Sequence, residues 1–346
     1  MSYLSSLIFY AALIAVVCCC MYAAQKRGEK RWLWMAVLLL SLVAGLRAES
    51  VGVDTRNYTL ILRRCAVEGY ERITKEYLFY YIGTILYRLS GSAAASFTAY
   101  ALLTNGLIFA RLWDFRNRCS LAAVALFYCL YYYGGTMNGV RQYLAIAIVF
   151  FATRYLFSEK FGRFYLLTLL ACMFHYSACA GFVLPVLAIG CKRRYPLREF
   201  LVLCTSAVVL LVAIPICLDT YSGYVDKADV GVGWITVARI MTFLAVCLLG
   251  LRPIALKEQE EGSCLGHTLC AVLFGICMVG FLCSFISQIN RVGYYFRFFE
   301  LLVYGMVLWN RESQQLTRWL LGAAVFVLGV HCFTAYNNII PYGFCF

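Results

Sequence analysis

Charged residues are scarce in this chain of 346 residues, in which Asp, Glu, Lys and Arg together make up 14%. Soluble globular domains carry about 25% charged residues, so the composition excludes a water-soluble fold. Hydrophobic residues make up 63% of the chain, and no gap between the apolar runs is long enough for a separate soluble domain. The composition is that of an integral membrane protein.

Metal-binding patterns are missing as well. The chain has only three histidines, which are scattered without paired acids, and its 18 cysteines form no C-x-x-C pair. Most cysteines lie inside apolar runs, as in VCCCMY at 17–22, where they pack as small hydrophobic residues. We therefore predict neither a metal site nor a disulfide framework.

The net charge of +13 does not indicate a nucleic-acid partner, because the basic residues fall mainly in short loops between apolar runs. Eighteen of the 30 Lys and Arg residues lie in the segments predicted to be inside, as the positive-inside rule requires. Of the ten predicted to be outside, six lie in one longer segment, 47–76, where the rule is weak. The segments predicted to be inside are 25–31, 111–118, 154–163, 192–198, 252–257 and 311–318.

The apolar runs predict an all-α, polytopic membrane protein with about twelve transmembrane or re-entrant helices and both termini outside. We expect one transmembrane domain, 1–346, with an outer loop region at 47–92. Segment 77–90 is predicted as an interfacial or re-entrant helix, and 163–190 as a tight helical pair or re-entrant hairpin. The runs are 4–24, 32–46, 93–110, 120–134, 142–157, 163–176, 177–190, 199–217, 234–251, 266–287, 294–309 and 318–334.

Under this topology the exceptional polar residues share the outer side. A guanidinium at membrane depth costs at least about 2.5–3.5 kcal/mol, so an anionic partner is expected, and the arginine fork suits phosphate. The residues concerned are Arg47 and Asp54 after the second run, Arg141 and Gln142 at the start of the fifth, His175 at the tip of the hairpin, and Arg291 and Arg297 at the start of the eleventh.

Four of these residues also have a purely structural explanation. Arg141 could extend to the lipid headgroups, Arg291 could merely flank a helix, and Arg297 could pair with Glu300 three residues on. Asp54 could cap a helix that begins near Thr55. These alternatives stay open at the level of sequence.

His175 is the most informative of the three histidines. A lone histidine is more often a packing residue than a catalyst. However, the predicted topology places this one at the same depth as four arginines and an aspartate, and an imidazole can accept a proton from a hydroxyl near neutral pH. Aromatic residues, 16% of the chain, are partly an interfacial belt, but their faces also suit sugar rings or a lipid tail.

Four segments, taken together and in order, resemble the EpsG family of bacterial exopolysaccharide polymerases, which is similar to the Wzy-type O-antigen polymerases. They are GLR…VGVDTRNY, NGVRQYLA, FHYSA and NRVGYYFRFFE, and the resemblance covers roughly residues 30 to 310. The family often has Asp-Tyr in the first motif, whereas this chain has Asp54-Thr55 with Tyr58 shortly after. That difference leaves the role of Thr55 open.

The resemblance implies a metal-independent glycosyltransferase, without cofactor, in the bacterial inner (plasma) membrane. It would transfer a growing glycan from a polyprenyl diphosphate carrier to another lipid-linked repeat unit at the outer face, building exopolysaccharide or capsule. Its expected partners are polyprenyl-diphosphate-linked oligosaccharide, membrane lipid and a chain-length regulator.

Roles for single residues follow from combining this chemistry with the sequence. Guanidinium groups would stabilise the charge that develops on the diphosphate. We expect Arg141 and Arg297 to have the main role, and Arg47 and Arg291 to support them. His175 is the first choice as general base and Asp54 the second. Other residues expected to bind the diphosphate or the glycan are Gln142, Tyr58 and Asn138.

Two other functions compete with this prediction. A transporter or flippase for lipid-linked oligosaccharide could also line a cavity with arginines, but it should place polar groups near the midplane, often in related repeats. Arg239 is the one clear intramembrane candidate, and no repeat is visible. An O-acyltransferase would use a membrane histidine, yet no histidine on the predicted inner side is paired with an acid.

Overall fold

The computed structural model describes residues 1–70, 73, 76–190, 233–260, 264–285, 290–309, 315–336 and 338–345. Within these ranges the chain is helical and has no strand, apart from one isolated bridge between Arg47 and Phe344. The helix predicted at 199–217 lies outside the described residues. The α-helices are α1 Tyr3–Arg27, α2 Lys30–Gly45, α3 Thr55–Glu68, α4 Tyr77–Ser90, α5 Ala93–Trp113, α6 Leu121–Tyr128, α7 Gly134–Asn138, α8 Val140–Phe157, α9 Phe161–Phe174, α10 Leu184–Gly190, α11 Trp234–Val246, α12 Arg252–Glu260, α13 Cys264–Leu282, α14 Asn290–Arg297, α15 Glu300–Trp309 and α16 Gln315–Tyr336.

Five stretches of helix in the described residues are long and apolar enough to cross a membrane. This finding supports the prediction of a membrane protein, because a hydrocarbon core of about 30 Å requires roughly 20 apolar residues. The count of about twelve helices and the outside location of both termini stay predictions. The five stretches are Tyr3–Arg27, Ala93–Trp113, Val140–Phe157, Trp234–Lys257 and Gln315–Ala335.

Helix α1 shows how local sequence sets the ends of a membrane helix. The Ser2 side chain accepts a hydrogen bond from the Ser5 N–H at the first turn, which satisfies a donor that the helix leaves unpaired. At the other end Gly28 adopts φ 71° and its N–H donates to the Ala24 carbonyl, a left-handed conformation that favours glycine. Lys26 and Arg27 lie in the last turn, where positive charge complements the helix carbonyls.

The described chain divides into two compact units. The first comprises Met1–Ile148, Met173–His175 and Gly329–Phe346. In it α2 packs against α5 and α1, and α1 also packs against α6. The α2–α5 crossing is close because Gly45 has no side chain: a Cβ there would lie 2.0 Å from Thr98 Oγ1.

The outer loop region predicted at 47–92 contains α3 and α4. Helix α4 has 14 residues and at about 1.5 Å per residue is too short to cross a bilayer; its interfacial or re-entrant placement stays a prediction. It is fixed to α5 by Ser96 Oγ, which donates to the Gly83 carbonyl at 2.7 Å, and by the Tyr100 hydroxyl, which donates to the Phe79 carbonyl. Helix α4 is thereby held in place from its first turn onward.

The second unit comprises Val149–Cys172 and Tyr176–Leu328. Helices α13 and α14 pack together at Gly280 and Gly293. A Cβ at Gly280 would lie 2.5 Å from the Arg297 backbone nitrogen, and one at Gly293 would lie 2.7 Å from the Gly280 carbonyl oxygen. Small residues at both positions therefore permit backbone contact between the helices, a common device in membranes.

The second unit also contains a buried ion pair. Arg239 in α11 donates to Glu300 at the start of α15, and the Tyr304 hydroxyl donates to the other Glu300 carboxylate oxygen at 3.1 Å. Glu300 is fully buried. The structure thus pairs Glu300 with Arg239; a pair with Arg297 is one of the alternatives that the sequence leaves open.

We predict that replacing one member of this ion pair lowers the stability of the protein more than replacing both members. Glu300→Ala removes the buried carboxylate to which Arg239 donates and should lower the free energy of unfolding by about 3–5 kcal/mol. The double variant Arg239→Met, Glu300→Leu should be more stable than either single variant, because both members of the pair are then apolar. Thermal unfolding in one detergent, followed with a cysteine-reactive dye, measures this, and purely additive losses would contradict the prediction.

Candidate active site

Arg47 ties together three segments of the first unit. It is 3% exposed, and Nε donates to Thr55 Oγ1 at 3.0 Å, Nη2 donates to the Met137 carbonyl at 2.8 Å and Nη1 donates to the Ala44 carbonyl. The guanidinium also lies 4.6 Å from the centre of the Phe97 ring. All three of its nitrogens are thus bonded to protein oxygens at the end of α2, the start of α3 and α7.

Burial lowers the pKa of Arg47 to about 10, and the nearby Tyr133 and Tyr342 act in the opposite direction. The side chain therefore remains cationic at neutral pH. In the first unit this charge is compensated mainly by oriented carbonyl and hydroxyl groups. Because hydrogen bonds from a charged donor are among the stronger ones, Arg47 sets the path of the loop that leads into α3.

Asn138 holds the same loop from its other side. Its Oδ1 accepts a hydrogen bond from the Val53 N–H at 2.7 Å. Gly52 has φ +85°, and a Cβ there would lie 2.5 Å from Asn138 Oδ1. Gly52 is thus required both by its left-handed backbone conformation and by the close approach of Asn138.

Asp54 and Tyr58 lie one turn apart at the start of α3. Asp54 occupies the N-cap position, but its side chain makes no capping hydrogen bond; only its carbonyl accepts from the Tyr58 N–H, at 3.0 Å. Its half-buried carboxylate is thus not used as a helix cap. Burial raises the pKa of Tyr58, and it raises that of Tyr80 to about 12, so both phenols are neutral at physiological pH.

Arg141 is the second residue of α8 and lies between these two phenols. Its guanidinium carbon is 5.4 Å from the Tyr58 ring centre and 5.3 Å from that of Tyr80, and Nε is 3.4 Å from the Tyr58 hydroxyl. Nη1 donates to Glu76 Oε2. The side chain is 28% exposed, which leaves part of the guanidinium accessible.

Glu76 connects Arg141 to His175. Its Oε2 accepts from Arg141, and its Oε1 pairs with His175 Nδ1. The Glu76 side chain is 3% exposed and that of His175 is 11% exposed. A buried carboxylate thus lies between a guanidinium and an imidazole, and the three side chains are hereafter the Arg141–Glu76–His175 cluster.

Sequence reasoning missed Glu76. It lies in ERITKEYLFYY, among other charged residues of the region predicted as an outer loop, and nothing in that segment distinguishes it. The one available signal was indirect, because a guanidinium at membrane depth requires an anion. For Arg141 that requirement points as readily to a substrate or a lipid headgroup, whereas in the structure the protein itself supplies a carboxylate.

The remaining predicted site residues lie in two helices, α8 and α14. Gln142 follows Arg141 in α8 and is half-buried. Arg291 and Arg297 belong to the second unit, at the two ends of α14. Arg291 is exposed; Arg297 is 5% exposed, donates to the Asn290 carbonyl at 3.2 Å and to its side-chain oxygen, and stacks over Tyr294 at 4.4 Å.

Of the nine residues predicted for the site, the structure brings Arg141 into contact with Tyr58 and, through Glu76, with His175. Arg47, Asn138 and Asp54 build the adjoining loop of the same unit. Among the residues that the structure describes, no group of three or more His, Cys, Asp or Glu side chains is arranged to hold a metal ion. The cluster is suited to proton transfer and to binding an anion.

A protein-family model, that of the EpsG family, matches residues 30–344 of the chain. This match confirms the resemblance that the four sequence motifs indicated. No curated protein and no solved structure matches the chain.

We predict that Arg47→Lys destabilises the first unit although it keeps the charge. A lysine ammonium cannot reach three oxygens in three directions, and losing a charge-assisted hydrogen bond costs about 1.5–3 kcal/mol. Thermal denaturation followed by gel filtration measures the loss. The control is Arg56→Lys, an exposed position at the start of α3; equal midpoints for the two variants would refute the prediction.

Proposed function

Because the chain belongs to the EpsG family, whose members are membrane proteins of the exopolysaccharide polymerase type, we propose that it joins polyprenyl-diphosphate-linked oligosaccharide repeat units into a polymer. The reaction takes place at the outer face of the bacterial inner membrane. The observation that carries the proposal is the Arg141–Glu76–His175 cluster, which provides an anion-binding group beside a proton acceptor.

Arg141 is the proposed contact for the diphosphate. Within the described part of the chain, Nη1 and Nε have partners and Nη2 has no acceptor, and the side chain is 28% exposed. The guanidinium can donate a hydrogen bond to a phosphate oxygen from this open edge while its other edge stays bonded to Glu76. Negative charge on the diphosphate grows as the glycosidic bond breaks, so this contact is stronger in the transition state than in the ground state.

His175 is the proposed general base. The acceptor sugar hydroxyl gives its proton to the imidazole as its oxygen attacks the anomeric carbon of the donor. The bond between that carbon and the diphosphate oxygen breaks, and its electron pair leaves with the carrier diphosphate. Asp54, whose half-buried carboxylate is not used in capping, is the second choice for this role.

The other predicted residues keep supporting roles in the proposal. Tyr58 lines Arg141 on one side, as Tyr80 does on the other, and such aromatic faces suit sugar rings. Gln142 orients substrate beside Arg141. Arg47, whose three nitrogens are bonded to protein oxygens, supports the site by holding the loop before α3. The assignment of Asn138, Arg291 and Arg297 to the diphosphate or the glycan rests on the sequence motifs.

We predict that His175→Ala and Arg141→Ala abolish polymer while single repeat units accumulate on the lipid carrier. Loss of a general base typically lowers the rate about 10²–10⁴-fold. Analysis of lipid-linked glycans from cells provides the measurement, with exposed Arg56→Ala as the matched control. Normal chain length in both variants would reject the site, and repeat units trapped on the cytoplasmic face would indicate a flippase instead.

Arg141→Lys should also be impaired, by roughly 10-fold to 150-fold, which corresponds to the loss of one charge-assisted hydrogen bond of about 1.5–3 kcal/mol. Lysine retains the charge but lacks the fork that binds Glu76 and a phosphate together. The rate of polymerisation in membrane vesicles tests this. Full activity would show that only the positive charge at this position matters.

A further inference from the structure

We propose that Glu76 is a positioning residue, one that fixes His175 in the tautomer with the proton on Nδ1 and so makes Nε2 the basic nitrogen. The inference deepens the proposed function and rests on it for the role of His175, but the tautomer itself is a property of the resting protein. It follows from the directions of the hydrogen bonds in the Arg141–Glu76–His175 cluster.

The carboxylate leaves little choice of tautomer. An ionised carboxylate only accepts hydrogen bonds, so the nitrogen that faces Glu76 Oε1 must carry a proton. That nitrogen is Nδ1. The lone pair of the neutral imidazole is then on Nε2, the opposite side of the ring. An orienting carboxylate of this kind is how a histidine base is commonly held in the productive form.

Arg141 ensures that the carboxylate stays in that role. Its Nη1 donates to Oε2, so the two Glu76 oxygens have different partners and the carboxylate plane is set by both. The side chain is 3% exposed, which excludes most water, and in such surroundings the paired guanidinium favours the ionised form. When the imidazole takes up a proton, the same carboxylate lies beside the new positive charge.

The backbone at Glu76 supports a role for the side chain. Glu76 has φ 60° and ψ 40°, a left-handed conformation that costs roughly 1–2 kcal/mol for residues other than glycine. The side chain makes no capping hydrogen bond to α4, so the usual structural reason for an acid before a helix does not apply. A glutamate is present at a position where glycine would fit best, and its carboxylate makes the contacts with Arg141 and His175 that compensate.

Glu76→Gln gives a sharp prediction, because an amide has one acceptor and one donor end. The charged Arg141 Nη1 can only donate, so the amide oxygen faces it and accepts its hydrogen bond. The alternative, with the amide NH₂ facing Nη1, would place two donors against each other and is unfavourable. The amide NH₂ then faces Nδ1, which must accept. The His175 tautomer should therefore invert, with the proton moving to Nε2.

Imidazole nitrogen NMR measures the tautomer directly. The chain has three histidines, so ¹⁵N-histidine labelling of the full-length protein in lipid nanodiscs gives three imidazole pairs, and His175→Gln assigns the relevant one. At a pH where the ring is neutral we expect protonated Nδ1 in the wild type, inversion in Glu76→Gln, and the wild-type pattern in Glu68→Gln, an exposed acid at the end of α3.

The outcomes separate this inference from the proposed function. A wild-type His175 with its proton on Nε2 overturns the inference, and this measurement needs no variant to fold. An unchanged tautomer in Glu76→Gln also overturns it, whatever the activity. Inversion together with a loss of polymer of up to about 10⁴-fold supports both. Inversion with normal polymer supports the positioning role and instead rejects His175 as the base.

Discussion

The pairing of buried charge within one unit is the constraint on which the rest of this structure depends. A charge in apolar surroundings is costly unless another group compensates it. The Arg141–Glu76–His175 cluster meets this condition with a carboxylate shared by two nitrogen groups. Arg47 meets it with carbonyl and hydroxyl oxygens, and Arg239 meets it with Glu300.

The same constraint connects stability to the proposed chemistry. Because Glu76 holds one edge of Arg141, the guanidinium is oriented before any substrate arrives, and its partly exposed edge is the proposed contact for a phosphate oxygen. Because Glu76 also holds Nδ1, the histidine is oriented by the same carboxylate. Preorganised charges of this kind are effective in catalysis because little reorganisation is needed during the reaction.

Sequence alone indicates some members of the candidate site, because arginine and histidine are conspicuous in apolar surroundings. Arg141 and His175 are such residues, and the structure pairs both with Glu76; Tyr58, which the first motif indicates, contacts Arg141. Glu76 itself could not be predicted, because it lies among charged residues in a loop, where an acid is ordinary. Arg47 was expected to support the diphosphate, and only its bonds to Thr55, Ala44 and Met137 reveal that it also holds the loop.

The sequence by itself determined the membrane class, the helical character and the EpsG family, since apolar run length, the distribution of basic residues and the four motifs are all local properties of the chain. Tertiary structure alone decided which charges are partners. Glu76 is 65 residues from Arg141 and 99 residues from His175. Contacts over such separations depend on how the residue before α4, the start of α8 and the residue after α9 come together, and no periodicity in the sequence specifies that packing.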